Sequence, residues 1–339
     1  MESQKKKIWW MLLSAVAVVG ILFTSCNNDE DEVTMGNWTR MSDFDGTPRS
    51  DAFGFAIGTS GYLGTGYDGT DRLKDFWEYN TDKGYWIQKA DFPGVARNGA
   101  TAFAIGSKGY AGTGYDGDNK LNDFYEYNPA NNTWTRKADF AGTARYAATG
   151  FGTDSRGYLG TGFDGNSQKD FYEYNPANNT WTKIISIGGQ KRRDATSFVI
   201  NGKGYVVSGL DNGAYLTDLY MYDPATGEWT KKRAINDATD ENFDDEYTGI
   251  ARISAVAFSI GSKAYLTTGS SSSLLSTLWE YDSATDLWKN LTDFEGTIRT
   301  EAVGFGIGNY GYVTSGRSNS YYLDDIWRLN PTEEYDSEN

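Results

Sequence analysis

One segment of this chain is written three times. Residues 103–117 read FAIGSKGYAGTGYDG, and residues 55–69 and 151–165 repeat that text with few changes. Arginines open successive units at Arg49, Arg97, Arg145, Arg193, Arg252 and Arg299, spaced by 48, 48, 48, 59 and 47 residues. Tryptophans close them at Trp86, Trp134, Trp181, Trp229 and Trp288. A unit of this size cannot bury its apolar face alone, so it must stack on its neighbours, and the fold must be a repeat architecture.

Each unit reads as four short strands. In the second they are the alternating run Ala102-Phe103-Ala104-Ile105, a Tyr/Gly/Thr-rich segment ending near Gly114, the period-2 run Phe124-Tyr125-Glu126-Tyr127, and a strand centred on Trp134. The Pro- and Asn-bearing segment 128–132 between the last two is a hairpin turn. No stretch among the repeats has a 3.6-residue apolar period of helix length. Four strands in about 45–50 residues, repeated, are the mark of a β-propeller blade.

The residues resemble those of the Kelch family, whose repeat carries a glycine pair after the second strand and then a Tyr and a Trp a few residues apart. Here the Tyr–Trp pairs are Tyr79/Trp86, Tyr127/Trp134, Tyr174/Trp181, Tyr222/Trp229 and Tyr281/Trp288. The second glycine stands at Gly66, Gly114, Gly162, Gly209, Gly269 and Gly316, but Thr or Ser replaces the first. The resemblance implies an all-β, six-bladed Kelch-type propeller and leaves its activity open.

The two ends of the repeat array fit together. Trp38 lies as far before Arg49 as Trp86 lies before Arg97, so it marks a fourth strand with no blade before it, while the last unit has no fourth-strand tryptophan. A ring closed by pairing 36–41 with the strand near 325–329 satisfies both and removes the open sheet edges. The domain reading is therefore a signal segment over 1–25, an acidic tether over 26–35, a propeller over 36–331 and a polar tail over 332–339.

At the N-terminus, Lys5, Lys6 and Lys7 precede an apolar run and the sequence Phe23-Thr24-Ser25-Cys26. Small residues before a cysteine resemble a bacterial lipoprotein box, which implies lipidation at Cys26, the only cysteine. The acidic NNDEDE that follows resembles the export stretch of Bacteroidetes-type surface lipoproteins and reads equally well as a solvated tether. The expectation is an outer-membrane lipoprotein facing the periplasm or the cell surface, touching the membrane through its lipid alone.

The formal net charge of −15 argues against a nucleic-acid partner. The chain has no histidine, which excludes a Ser-His-Asp triad, imidazole acid–base chemistry and His-bound zinc or copper. The copper site of galactose-oxidase-like relatives cannot form here. No cofactor and no metal are expected; the acidic segment 237–246 lacks the spacing of a calcium loop.

Two sets of residues remain as ligand-binding candidates. The opening arginines, Arg49, Arg97, Arg145, Arg193, Arg252 and Arg299, read either as an anion-binding ring at the channel mouth or as structural partners of Asp75, Asp123, Asp170, Asp218 and Asp325. In the fifth blade Thr277 replaces that aspartate, which singles out Arg252. The second set decorates the loops after the second strands: Tyr67 and Tyr115 early in the chain, Arg317, Tyr321 and Tyr322 late. The long acidic connection, Arg252 and Arg317 together place the expected site between blades 4 and 6. Three function classes follow: a binding module for a glycan or protein, a metal-free sugar-acid epimerase or mutarotase, and a structural scaffold.

Overall fold

The structure, a computed structural model, describes residues 34–337. The expected signal segment, Cys26 and the tether up to residue 33 lie outside the described residues.

Six four-stranded antiparallel sheets follow one another along the chain. Blade 2 is typical, with strands Thr101–Ile105, Lys108–Gly112, Phe124–Asn128 and Thr133–Arg136. Its hairpins place Phe103 opposite Tyr110 and Tyr127 opposite Trp134, cross-strand pairs of the kind that stabilise a pleated sheet. The first strands of neighbouring blades lie side by side around a central channel.

The blades are glued by aromatic rings. Phe76 of blade 1 meets Tyr127 and Trp134 of blade 2 at centroid distances of 4.7 and 4.9 Å, and Phe124 of blade 2 meets Tyr174 and Trp181 of blade 3 at 5.2 and 5.0 Å. Gly109 shows why the second strand needs glycine. A Cβ there would sit 2.2 Å from Cζ of Phe55, because the ring of blade 1 beds directly on the backbone of blade 2.

The ring closes as the spare tryptophan implies. The strand Met35–Arg40 pairs antiparallel with Ile326–Glu334, with Trp38 opposite Leu329 and Arg40 opposite Trp327. It completes the sixth blade as its outermost strand. The boundaries differ slightly from the sequence reading. Pairing begins at Met35 and runs to Glu334, so residues 332–334 belong to the propeller. Their side chains are exposed and polar, and the pairing rests on backbone groups that polarity does not reveal.

The fourth blade differs from the sequence reading by one residue. The arginine in the fourth blade's opening position is Arg192, which is fully buried and bonded to Asp218; its neighbour Arg193 lies against Asp194 and the ring of Phe163 instead. The tandem KRR at 191–193 offered two arginines one residue apart, and repeat spacing could not choose between them.

Candidate functional site

Two residues after each opening arginine the backbone turns left-handed. The six positions are Asp51, Gly99, Ala147, Asp194, Ser254 and Glu301, with φ between 49° and 62°. Each donates its N–H to the carbonyl of the equivalent residue in the preceding blade. The bonds run Gly99 to Asp51, Ala147 to Gly99, Asp194 to Ala147, Ser254 to Asp194, Glu301 to Ser254 and Asp51 to Glu301, all 2.9–3.1 Å. They form a closed backbone belt around the channel, which no single blade could satisfy alone. Just inside it stand Ala52, Ala100, Ala148, Ala195, Ala255 and Ala302, side chains small enough to let six strands converge. The cavity so lined holds about 250 Å³, slightly below the usual range of small-molecule sites, roughly 300–1,000 Å³.

Three belt positions carry carboxylates, and each has a basic or amide neighbour. Both oxygens of Glu301 accept from Arg317, at 2.7 Å each. Asp194 lies 3.3 Å from Arg193. Asp51 accepts from Asn98 Nδ2 at 2.7 Å, and Asn98 Oδ1 accepts in turn from Arg72 Nε at 2.7 Å. Burial, and then the charge of Glu301, push the Asp51 carboxyl up to about 7 against the Asn98 hydrogen bond. Burial pushes Asp194 up to about 6, with Arg193 opposing it. Both shifts are toward the range where general acid–base groups work.

An aromatic crescent rises outside the belt. Starting at blade 6, Tyr322 meets Tyr67 edge-on at 6.1 Å. The Arg72 guanidinium sits between Tyr67 and Tyr115, 5.4 and 5.0 Å from their centroids. Tyr115 is 5.5 Å from Tyr146, and Tyr146 is 5.6 Å from Phe163. Arg193 covers Phe163 at 5.3 Å, and Lys120 approaches the same ring at 5.9 Å. The crescent thus spans blades 6, 1, 2, 3 and 4. Blade 5 presents Ser270 and Ser271 in the equivalent loop.

The opening arginines are elsewhere. Arg49, Arg97, Arg145, Arg192, Arg252 and Arg299 have at most 1% of their surface exposed. In each blade Nη1 donates to the carbonyl of the Thr or Ser that replaces the family's first glycine: Thr65, Thr113, Thr161, Ser208, Thr268 and Ser315. Five of the six also grip a third-strand aspartate with both Nη groups, and in blade 1 the distances are 2.5 and 2.7 Å. Although burial pushes Asp75 and Asp325 up, the hydrogen bond and charge of their arginines outweigh it and hold both carboxyls below their ordinary value. These guanidinium groups tie the turn to the third strand inside the blade. Of the two sequence readings, the structural pairing with the third-strand aspartates is the one these contacts match, and the placement around the mouth is corrected: the side chains point into the blade, where their acceptors lie.

Arg252 lacks the aspartate, as Thr277 implied, yet it is not free. Its Nη2 donates to Thr277 Oγ1 at 2.6 Å and to the Gly249 carbonyl, and Nη1 reaches the Thr277 carbonyl at 3.2 Å. The long connection supplies that carbonyl. It packs on the outer strands of blade 5, where the hydroxyl of buried Tyr247 accepts from Trp288 N–H at 2.7 Å. Its packing on blade 5 differs from the expected position over the channel mouth. Carboxylate oxygens of Asp237, Asp244 and Asp245 lie within 4.8 Å of one another. Asp244 already accepts from the backbone of Ala238 and Thr239, which makes it the pin of the loop.

Of the other expected residues, Tyr67, Tyr115 and Tyr322 line the crescent, and Arg317 pairs with Glu301. Tyr321 points outward with 75% of its surface exposed. The sequence reading missed Asp51, Asp194 and Glu301 as a set, and with them Arg72 and Tyr146. Aligning the residue two past each arginine gives Asp, Gly, Ala, Asp, Ser, Glu, and that variability inside a regular repeat was the available signal.

The sequence matches the family described as the KLHDC2/KLHL20/DRC7 Kelch-repeats domain over residues 32–193, and the Kelch motif over 191–233. No curated protein matches it. Among solved structures, the one titled "Structure of YjhT" superposes with a TM-score of 0.69 at 15% identity, covering 84% of this chain and 95% of that one. At that identity the likeness is one of fold.

Proposed function

We propose that this six-bladed Kelch-type propeller is an extracytoplasmic binding module, anchored through a lipid on Cys26, that holds a saccharide at its channel mouth. The observation that carries this reading is the crescent of Tyr322, Tyr67, Tyr115, Tyr146 and Phe163 beside the polar belt. Sugar rings present apolar C–H faces and a rim of hydroxyls. Aromatic faces next to carboxylates and guanidinium groups complement both, and the rigid belt presents them without an ordering cost on binding. Titration calorimetry against a panel of neutral and acidic oligosaccharides tests it. Binding that is weakened by Tyr115→Ala and Tyr146→Ala, with the melting temperature retained, supports the reading; a panel without a binder overturns it.

A second reading, a metal-free mutarotase or epimerase, is favoured by one observation: the carboxyls of Asp51 and Asp194 stand in one closed belt and line the same cavity, where burial pushes them up to about 7 and about 6. One carboxyl could give a proton to the ring oxygen of a sugar while the other takes one from the anomeric hydroxyl. Exchange NMR of a bound reducing sugar distinguishes the two. Anomerisation accelerated by the protein and lost in Asp51→Asn makes it an enzyme, and an unchanged rate leaves it a binder.

A further inference from the structure

Arg72 differs from the buried arginines in its partners. Its Nε donates to Asn98 Oδ1, and its plane is held between the rings of Tyr67 and Tyr115. Among the described residues no carboxylate forms an ion pair with it, and neither Nη group has a protein acceptor. The Asp116 carboxyl is held low by short hydrogen bonds from the backbone N–H groups of Asn119 and Asp118 to its Oδ1, and the charge of Arg72 only helps. The Arg72 side chain is half-buried, and the Asn98 bond and the two rings fix its position within the crescent. One blade further on, Lys120 occupies the corresponding place. It lies against Phe163 and likewise forms no ion pair among the described residues.

A guanidinium fork held rigid with its two terminal nitrogens unspent is complementary to a planar or tetrahedral oxyanion. The flanking rings raise its value, because they exclude water from one side of the group without competing for its hydrogen bonds. The formal charge of −15 argues against dense polyanions such as nucleic acid and for a ligand whose negative groups are sparse. Building on the saccharide reading above, we propose that Arg72, assisted by Lys120, is the recognition point for the acidic group of a charged saccharide lying along the crescent. That group is a carboxylate or a sulfate ester, since both offer the paired oxygens that the fork requires.

The test titrates the full folded propeller with galactose hexamers in which one residue is replaced by galacturonic acid, one residue carries a sulfate ester, or none is charged, for the native protein and for Arg72→Gln, Arg72→Lys and Lys120→Gln. Melting temperature is recorded for each variant. The expected result is that an acidic hexamer binds about tenfold or more above the neutral one, the factor that one charge-assisted bidentate contact supplies. Arg72→Gln removes this preference, lowering binding of the acidic hexamers by about tenfold more than it lowers binding of the neutral one. Arg72→Lys keeps the charge but loses the fork, and falls between the two. Preference for the uronate identifies a carboxylate ligand, and preference for the sulfated chain a sulfate. Equal binding of all three hexamers, or an acidic preference untouched by Arg72→Gln, overturns the proposal while leaving the saccharide reading standing. Absence of binding to any hexamer overturns both.

Discussion

Arg97 and Asp123 face each other fork to fork: Nη1 and Nη2 of the arginine lie 2.5 and 2.8 Å from the two oxygens of the carboxylate. The same nitrogen that takes the carboxylate also holds the carbonyl of Thr113 at 2.8 Å, and Thr113 stands in the left-handed region with φ of 60°. One side chain therefore restrains a strained turn and anchors it to the third strand. Replacing Arg97 by Ala leaves Asp123 and that carbonyl without their donor inside the blade. A buried ion pair broken on one side costs about 3–5 kcal/mol. Arg97→Ala is expected to lower denaturant stability by that amount, while removing both members of the pair with Arg97→Leu/Asp123→Leu costs less than the single change. A fully additive double mutant would show that the two side chains do not act as a unit.

The closing strand supplies the second prediction. Trp38 is fully buried and meets Phe294 edge-on at 4.9 Å, so it ties blade 6 to blade 5 while its backbone pairs with Leu329. Trp38→Ala should cost about 3–5 kcal/mol, as for other large aromatic truncations in cores. Deleting residues 34–41 should do more, because it bares the edge of Ile326–Glu334 and opens the ring. Aggregation followed by light scattering, together with the melting temperature, reports it. A deletion that melts like the native protein would mean that closure contributes little.

The fold could be read from the sequence because its determinants are periodic. The Tyr127–Trp134 spacing encodes a hairpin, and the orphan Trp38 encodes closure, each by comparison with sibling repeats. The site was less legible for the same reason. Residues that recur, such as Arg97, recur because every blade needs them, and their regularity drew attention away from positions that vary. Asp51, Asp194 and Glu301 stand out only once the left-handed turn shows that all six equivalents share one ring of hydrogen bonds. The partners of Arg72 come from two blades, and no single-repeat pattern brings Tyr67, Asn98 and Tyr115 around it. Arg252 is the intermediate case. Thr277 correctly signalled a missing aspartate, but the Gly249 carbonyl that replaces it arrives from an insertion with no counterpart in the other blades.

Ser315 offers a stabilising change. It occupies the place of the family's first glycine with φ of 57°, is fully buried, and its hydroxyl has no partner among the described residues. A non-glycine residue in this conformation costs about 1–2 kcal/mol, and an unpaired buried hydroxyl adds to that. Glycine gives back about 0.4–1 kcal/mol through the freedom of the unfolded chain. Ser315→Gly should therefore raise stability by about 1 kcal/mol, measured by urea denaturation at constant m-value. A loss of stability would mean that the Cβ of Ser315 packs better than its geometry implies.

The mouth carboxyls make stability depend on pH in a direction opposite to that of ordinary surface acids. Asp51 and Asp194 are pushed up to about 7 and about 6 by burial first, with Glu301 adding to both. Their unfolded values lie near 3.9. Between those limits the folded chain holds more protons than the unfolded one, so this contribution is fully present below the unfolded value, falls as pH rises above it and is lost once pH passes the folded values. The carboxyls held low by partners, Asp75 and Asp325, act the other way, and their contribution is lost only as pH falls below about 4. The melting temperature is therefore expected to fall between about pH 5 and about pH 8 by the equivalent of about 1–2 kcal/mol, where each pKa unit corresponds to about 1.4 kcal/mol before solvent screening. Asp51→Asn keeps an acceptor for Asn98 but removes the titrating group. It should raise the melting temperature at pH 8 and flatten the slope. A native profile that is level over this range, or an Asp51→Asn variant with the native slope, would show that the belt carboxyls remain ionised throughout and that their mutual repulsion is relieved by Arg317 and Arg193.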